Sequence, residues 1–200
     1  MLGPQVDGAA GSLDDNTFAG GAAHLFMRDP SSYLFGVHAM YTSIENPTLS
    51  SNDIWRVGPE AEFYLNNFSV EAWAGLEDSD SNGSEFFASV NLAMYATEDF
   101  RVHVGFRRFL DMNAFAAGGE WQVSESLPMS LFVEAQFGEN DYATVFGGVK
   151  FYFGSDNKSL MRRHREDDPR NQIPELVGFG PTPDPMPRKE PCVECEGSTQ

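Results

Sequence analysis

The stretch that decides the fold is residues 54–77, IWRVGPEAEFYLNNFSVEAWAGLE. From Trp55 to Leu65 the odd-numbered positions carry no charge, whereas three of the five even-numbered positions between them are charged. An Asn-Asn pair at 66–67 follows, and the alternation then resumes. Strict period-two alternation on both sides of a two-residue turn predicts a β-hairpin. One face of this hairpin is apolar, and the other carries carboxylates.

The same alternation recurs along most of the chain before residue 154. Ten predicted strands result, at 4–12, 18–28, 33–43, 54–65, 68–77, 86–96, 100–109, 114–123, 129–137 and 143–153. No segment has a helical period of useful length, and none suggests a strand–helix–strand unit. An even-numbered antiparallel meander predicts an all-β, up-and-down barrel of about ten strands.

The two faces of the strands allow two kinds of barrel. In a soluble barrel the apolar face is the core, whereas in a transmembrane barrel it meets lipid and the polar face lines the lumen. Aromatic residues such as Trp55, Phe63 and Phe100 lie near strand ends, which is typical of girdles at the membrane–water interfaces. Trp73 and Phe87 fall on the polar face beside charges, which suits a narrow lumen. We therefore favour the transmembrane barrel over a soluble β-barrel that binds an apolar small ligand in its interior.

The charged residues of the strands, apart from Arg108, are confined to the polar face. A charge that faces lipid at mid-bilayer costs about 2–4 kcal/mol, so this confinement favours a lumen. The residues predicted to line it are Arg56, Glu60, Glu62, Glu71, Arg101, His103, Arg107, Glu120, Glu134 and Lys150. Ten strands enclose little more than packed side chains, so we expect ion pairs from the carboxylates to Arg101, Arg107 and Lys150. Such a network is either a structural plug or the lining of a narrow pore.

Overall composition excludes some function classes. The net charge of −17 argues against nucleic acid as a partner, because phosphates need a basic surface. The sequence contains no run of 18 or more apolar residues, so no transmembrane helix is predicted. The first residues also lack the basic and apolar regions of a secretory signal. An outer-membrane protein needs such a signal, so the membrane interpretation requires a processed or N-terminally truncated chain.

No catalytic or metal-binding constellation stands out. The four histidines share no ligand spacing, and neither a GxSxG motif nor a phosphate loop occurs. Cys192 and Cys195 form one CxxC pair, which could hold a disulfide or half a zinc site, but a full site needs further ligands. We expect no enzyme activity, no cofactor and no metal.

The alternation ends at Ser155, and a charged tail follows. Residues 156–170 contain a basic block and then an acidic block, and residues 174–191 are rich in proline, which predicts an extended chain. The predicted domains are therefore a β-barrel over 1–154 and a disordered, charged, Pro-rich periplasmic tail over 155–200. The charge blocks suggest that the tail tethers a periplasmic partner.

Residues 142–169 read YATVFGGVKFYFGSDNKSLMRRHREDDP, and residues 11–30 read GSLDDNTFAGGAAHLFMRDP. In these stretches the chain resembles a group of uncharacterised bacterial outer-membrane, porin-like β-barrel proteins, in which a last strand ending in FYFG precedes a KSLxRRHREDDP-like segment. The resemblance implies a place in the cell envelope, in contact with outer-membrane lipid, and names no substrate. We expect a structural or narrow-pore role, with both chain ends in the periplasm and Asn66-Asn67 as a periplasmic turn.

Overall fold

The structure is a computed structural model. It describes residues 1–13, 15–47, 51–80, 82–124, 126–139, 141–153, 157–167, 171 and 173–176. The strands are β1 (Leu2–Leu13), β2 (Asn16–Asp29), β3 (Tyr33–Glu45), β4 (Asn52–Leu65), β5 (Phe68–Ser79), β6 (Gly83–Thr97), β7 (Phe100–Phe109), β8 (Met112–Ser124), β9 (Leu127–Gly138) and β10 (Ala143–Phe151). Three short helical elements follow, α1 (Leu160–Arg162), the π-helical α2 (Arg163–Asp167) and the 3₁₀-helical α3 (Ile173–Leu176).

All ten strands belong to one sheet whose spatial order is the chain order, β1 to β10, and every neighbouring pair is antiparallel. The sheet curls into a half-barrel, which confirms the all-β, up-and-down prediction. Within the described residues, β1 and β10 each have a single strand neighbour. Their free edges line one cleft of about 470 Å³.

The connections between strands fall at two ends of the half-barrel. The compact-turn end carries the connections at 30–32, 66–67, 98–99 and 125–126, and the opposite end carries those at 14–15, 46–51, 80–82, 110–111 and 139–142. At the compact-turn end Asn66 has a φ of 54°, as the predicted hairpin requires. At the opposite end Leu110 and Asp111 both have positive φ, 46° and 56°, which is the backbone of a type I′ turn.

The two faces of the sheet differ in burial and in chemistry. On the concave face of β4, Arg56, Glu60 and Glu62 are buried, whereas on its convex face Trp55 is 58% exposed and Leu65 is 59% exposed. The other strands repeat this alternation, as the burial patterns of β2, β3, β5 and β6 show. Buried charges and exposed large apolar side chains are the reverse of what a protein surface in water normally presents.

Part of the chain after β10 packs against the sheet. Residues 155–200 were predicted as one disordered, charged, Pro-rich tail, and within it the described residues between 157 and 176 fold against the concave face. Leu160, Arg163, Ile173 and Leu176 are buried there. Their positions could not be read from a periodicity, because their partners are lumen side chains far away in the chain.

We call the described residues 157–167, 171 and 173–176 the inner segment. Residues 154–156, 168–170, 172 and 177–200 lie outside the described residues, and so do the predictions made for the proline-rich stretch and for Cys192 and Cys195. Within the described part of the chain, no helix is long and apolar enough to cross a membrane.

Candidate functional site

The structure places all ten predicted lumen residues on the concave face. Arg56, Glu60, Glu62, Glu71, Arg101, His103, Arg107, Glu120 and Glu134 are buried, and Lys150 is half-buried. All ten therefore lie on the same side of the sheet. Whether they line a pore remains a prediction.

One part of the network centres on Glu71 and Arg101. The Arg101 guanidinium lies 2.5 Å from Glu71 Oε1, and its Nη1 lies 3.1 Å from Nδ1 of His103. Glu62 is close to this pair and accepts a hydrogen bond of 3.0 Å from the Tyr64 hydroxyl. Strands β5 and β7, which are not neighbours in the sheet, are thereby joined across the interior by the Glu71–Arg101 pair.

A second part centres on Arg107. Its Nη2 lies 3.4 Å from Glu134 and 3.1 Å from Glu175 of the inner segment, and its Nη1 donates a 2.6 Å hydrogen bond to Asn91 Oδ1. His103 Nε2 lies 2.9 Å from Glu134 Oε2, which connects this part to Arg101. Arg107 therefore contacts both the barrel wall and the chain inside it.

Glu120 is the centre of a third part. Lys150 Nζ lies 2.5 Å from Glu120 Oε2, and the hydroxyls of Ser130 and Tyr152 donate to Oε1. His164 of the inner segment lies 3.7 Å from the same oxygen. The expected partners Arg101, Arg107 and Lys150 thus all pair with carboxylates.

Further ion pairs on the concave face were not predicted. Arg56 binds Glu77 at 2.8 Å, and His24 bridges Glu60 at 2.8 Å and Asp7 at 3.1 Å. Asp7, His24 and Glu77 lie in the polar phase of their strands, so the alternation contains the signal that would have found them. Glu175 and His164 had no such signal, because they follow the last strand.

His38 is one of several buried polar residues whose side chains lack a hydrogen bond within the described part of the chain. Its side chain is 2% exposed, and neither ring nitrogen has a hydrogen-bond partner among the described residues. The ring stacks on His24 at 5.9 Å and meets the edge of Phe87 at 5.8 Å. These contacts are sufficient to pack the ring but leave its polar atoms unsatisfied.

Two glycines make room for the network. A Cβ atom at Gly105 would lie 2.1 Å from Asn91 Oδ1, and one at Gly118 would lie 2.6 Å from the His103 ring. Both glycines occupy inward-facing positions of their strands. Side chains there would displace the residues that bind Arg107 and Glu134.

The inner segment carries its own titratable groups. Burial lowers the pKa of His164, although the nearby Glu120 carboxylate acts in the opposite direction. Its two ring nitrogens face the hydroxyls of Tyr95 at 2.9 Å and Tyr152 at 3.0 Å, an arrangement that a neutral imidazole satisfies. Partial burial opposes the charge of Lys158, but Asp167 and Glu166 outweigh it and raise the pKa of Lys158.

The free space left inside this network is small. The cavity between Arg101, His103, Glu134, Lys150 and Glu175 measures about 20 Å³, which holds about one water molecule. Within the described part of the chain, no group of three or more His, Cys, Asp or Glu side chains is arranged to hold a metal ion. The arrangement holds charges in fixed pairs.

Comparison with protein-family models gave no match. Comparison with curated proteins also gave no match.

Proposed function

We propose that the protein is an outer-membrane β-barrel with a structural or narrow-pore, porin-like role, whose lumen is lined by the Glu/Arg network. The single observation that carries this proposal is the reversed amphipathicity of the sheet. Its concave face buries paired charges, and its convex face exposes large apolar side chains on every strand from β1 to β10.

The convex face is better suited to lipid than to water. Each large apolar side chain gains about 1.5–3 kcal/mol on leaving water, so this surface is costly in water and favourable in lipid. The charged side chains of the concave face are costly to bury unless they have partners, and ion pairs at 2.5–3.4 Å provide those partners. A barrel with lipid outside and paired charges inside gives each face a favourable environment.

The bilayer places one further demand on the fold. Unpaired strand edges do not occur in the hydrocarbon region, because their backbone groups would lack hydrogen bonds. The proposal therefore requires that the free edges of β1 and β10 be paired in the membrane. The resemblance of residues 142–169 to outer-membrane, porin-like proteins supports the same location.

The contents of the lumen favour a structural role over an open pore. The inner segment and the ion pairs leave the cavity of about 20 Å³ between Arg101 and Glu175. Through this part of the network, ions could pass at an appreciable rate only if the charged side chains or the inner segment moved, and the larger cleft of about 470 Å³ lies along β1 and β10. A soluble barrel with an apolar ligand gains no support, because the side chains inside are largely charged.

Single-channel recording in planar bilayers tests the pore role. If the network lines a conducting path, the purified protein shows discrete conductance steps, and Arg101→Ala or Arg107→Ala changes their size. Arg108→Ala is the matched control, because Arg108 pairs with Asp111 at the barrel's opposite end and is partly exposed. Silent bilayers that contain folded barrel would exclude the pore role and leave the structural one.

A further inference from the structure

The inner segment begins at the compact-turn end of the half-barrel. The backbone N–H of Leu160 donates to Asp99 Oδ1 at 3.1 Å, and that of Met161 donates to the Glu98 carbonyl at 2.9 Å. Arg163 Nε donates to Gln122 Oε1 at 2.9 Å. Glu98 and Asp99 form one of the turns at the compact-turn end, so α1 is held at that end. We call the opening of the half-barrel there the compact-turn mouth, and the opening at the other end the opposite mouth.

The next residues stay at the same mouth. Arg165 donates to the Phe68 carbonyl at 3.0 Å, and its guanidinium lies over the Tyr64 ring at 5.0 Å. Tyr64 and Phe68 flank the 66–67 turn. Arg28, close to the connection at 30–32, donates to the Asp167 carbonyl at 2.5 Å. A backbone acceptor and an aromatic face therefore contact the Arg165 guanidinium, whereas Arg162 of the same basic block is exposed and pairs with Glu166.

The inner segment ends at the opposite mouth. Ile173 and Leu176 are both 0% exposed and pack with Ile44 and Ile54 in one apolar cluster. Ile44 is near the end of β3, and Ile54 is near the start of β4, on either side of the connection at 46–51. Leu110, from the turn at 110–111, also packs against this cluster.

Polar contacts join the two mouths along the interior. Asn171 Nδ2 donates to the Gly8 carbonyl at 3.5 Å, in the middle of β1. Glu175 pairs with Arg107 at 3.1 Å, and its carbonyl accepts from Gln136 Nε2 at 3.2 Å. Arg107 in β7 and Gln136 in β9 both lie near the end of the half-barrel that is opposite to the compact turns. The contacts thus advance through the barrel in chain order.

We infer that the inner segment threads the lumen from the compact-turn mouth to the opposite mouth, so that Leu176 lies at the mouth opposite to Met1. The Met1 amino group donates to the Arg28 carbonyl at 2.7 Å, which places the N-terminus at the compact-turn end. This inference rests on the proposed membrane location for its biological meaning.

Short turns of outer-membrane barrels face the periplasm, and longer loops face the outside. With the proposed membrane location, threading therefore places Leu176 at the outward-facing mouth, whereas the sequence predicted both chain ends in the periplasm.

Thiol labelling in intact cells tests this topology without altering the chain, because Cys192 and Cys195 are its two cysteines. Cells are treated with an impermeant reductant and a membrane-impermeant maleimide, before and after permeabilisation. Two side controls are built on the Cys192→Ser/Cys195→Ser background. Asn82→Cys reports the opposite end, and Asn67→Cys reports the compact-turn end, since both asparagines are exposed.

Threading predicts that the native cysteines label as Asn82→Cys does and unlike Asn67→Cys. Labelling that follows Asn67→Cys would overturn it. If both controls behave alike, the proposed membrane location fails, and a cross-link in the purified protein decides whether the inner segment threads the lumen.

In the cysteine-free background, Ile173→Cys with Ile44→Cys should form an intramolecular disulfide. Ile173→Cys with Leu34→Cys, near the compact-turn end, should not, and the reverse result would exclude threading.

Discussion

The concave and convex faces of this sheet alternate along the same strands and yet have opposite chemistry. Arg56 and Trp55 are sequence neighbours, but the first is 3% exposed and the second is 58% exposed. In a soluble half-barrel the burial of these two side chains would be exchanged. The amphipathic pattern therefore decides which side chains share a face of the sheet, whereas the direction of the curl decides which of the two faces is buried. The following predictions test one face against the other.

The largest effect is expected on the concave face. Arg101→Met leaves Glu71 buried without its 2.5 Å partner, and breaking a buried pair in this way costs about 3–5 kcal/mol. Chemical unfolding of the protein in detergent micelles measures the loss. The double variant Arg101→Met/Glu71→Met removes both charges and should recover part of it. Equal stability of Arg101→Met and wild type would show that the pair is not buried.

The convex face gives the next effect. Val104 is 59% exposed at the middle of β7, and Val104→Arg should destabilise the barrel in lipid vesicles by about 2–4 kcal/mol. Leu65→Arg, at a strand end with the same 59% exposure, should cost about 0–1 kcal/mol because it lies near the interface. In a soluble protein both changes would stay within about 0.5 kcal/mol, as exposed substitutions usually do.

A smaller effect is expected from pH at the compact-turn mouth. Burial lowers the pKa of His164 below its ordinary value near 6.5, so docking of the inner segment is most stable above that pH and weakens as the pH falls. Glu120, Arg101 and Lys150 also act on this ring. Limited proteolysis between pH 8 and 5 should show increasing cleavage of the inner segment at low pH. His164→Gln, which cannot be protonated, should remove that pH dependence. A pH profile of cleavage that is unchanged in His164→Gln would show that His164 is not the group responsible.

The smallest effect is expected at the one strand arginine outside the concave network. Arg108 pairs with Asp111 at 2.9 Å, but the two side chains are 35% and 66% exposed. Arg108→Ala should change the free energy of unfolding by less than about 1 kcal/mol, and added salt should reduce the difference further. A loss as large as that of Arg101→Met would show that exposure does not separate the two sets of charges.

Much of the sheet could be predicted from sequence. The hairpin at 54–77, its Asn66-Asn67 turn and the faces of Arg56, Glu60 and Glu71 follow from period two alone. Alternation specifies which side chains share a face, and two-residue turns fix the neighbours of each strand. These rules are local, so they hold before any tertiary contact is known.

The inner segment could not be predicted in the same way. Arg163, His164 and Arg165 form a basic run that is typical of a solvated tail, but in the structure they bind Gln122, Tyr152 and Ser69. Their stability depends on a charged cavity that exists only after the strands have curled. The pairing of Glu175 with Arg107 is a contact of the same kind.

The most direct test of the membrane assignment is gel mobility of the purified protein with and without heating, combined with its solubility with and without detergent. The reversed faces predict a protein that stays in solution only with detergent and whose unheated form migrates differently from its boiled form. A protein that is monodisperse without detergent, with one mobility before and after boiling, would contradict the assignment of the convex face to lipid.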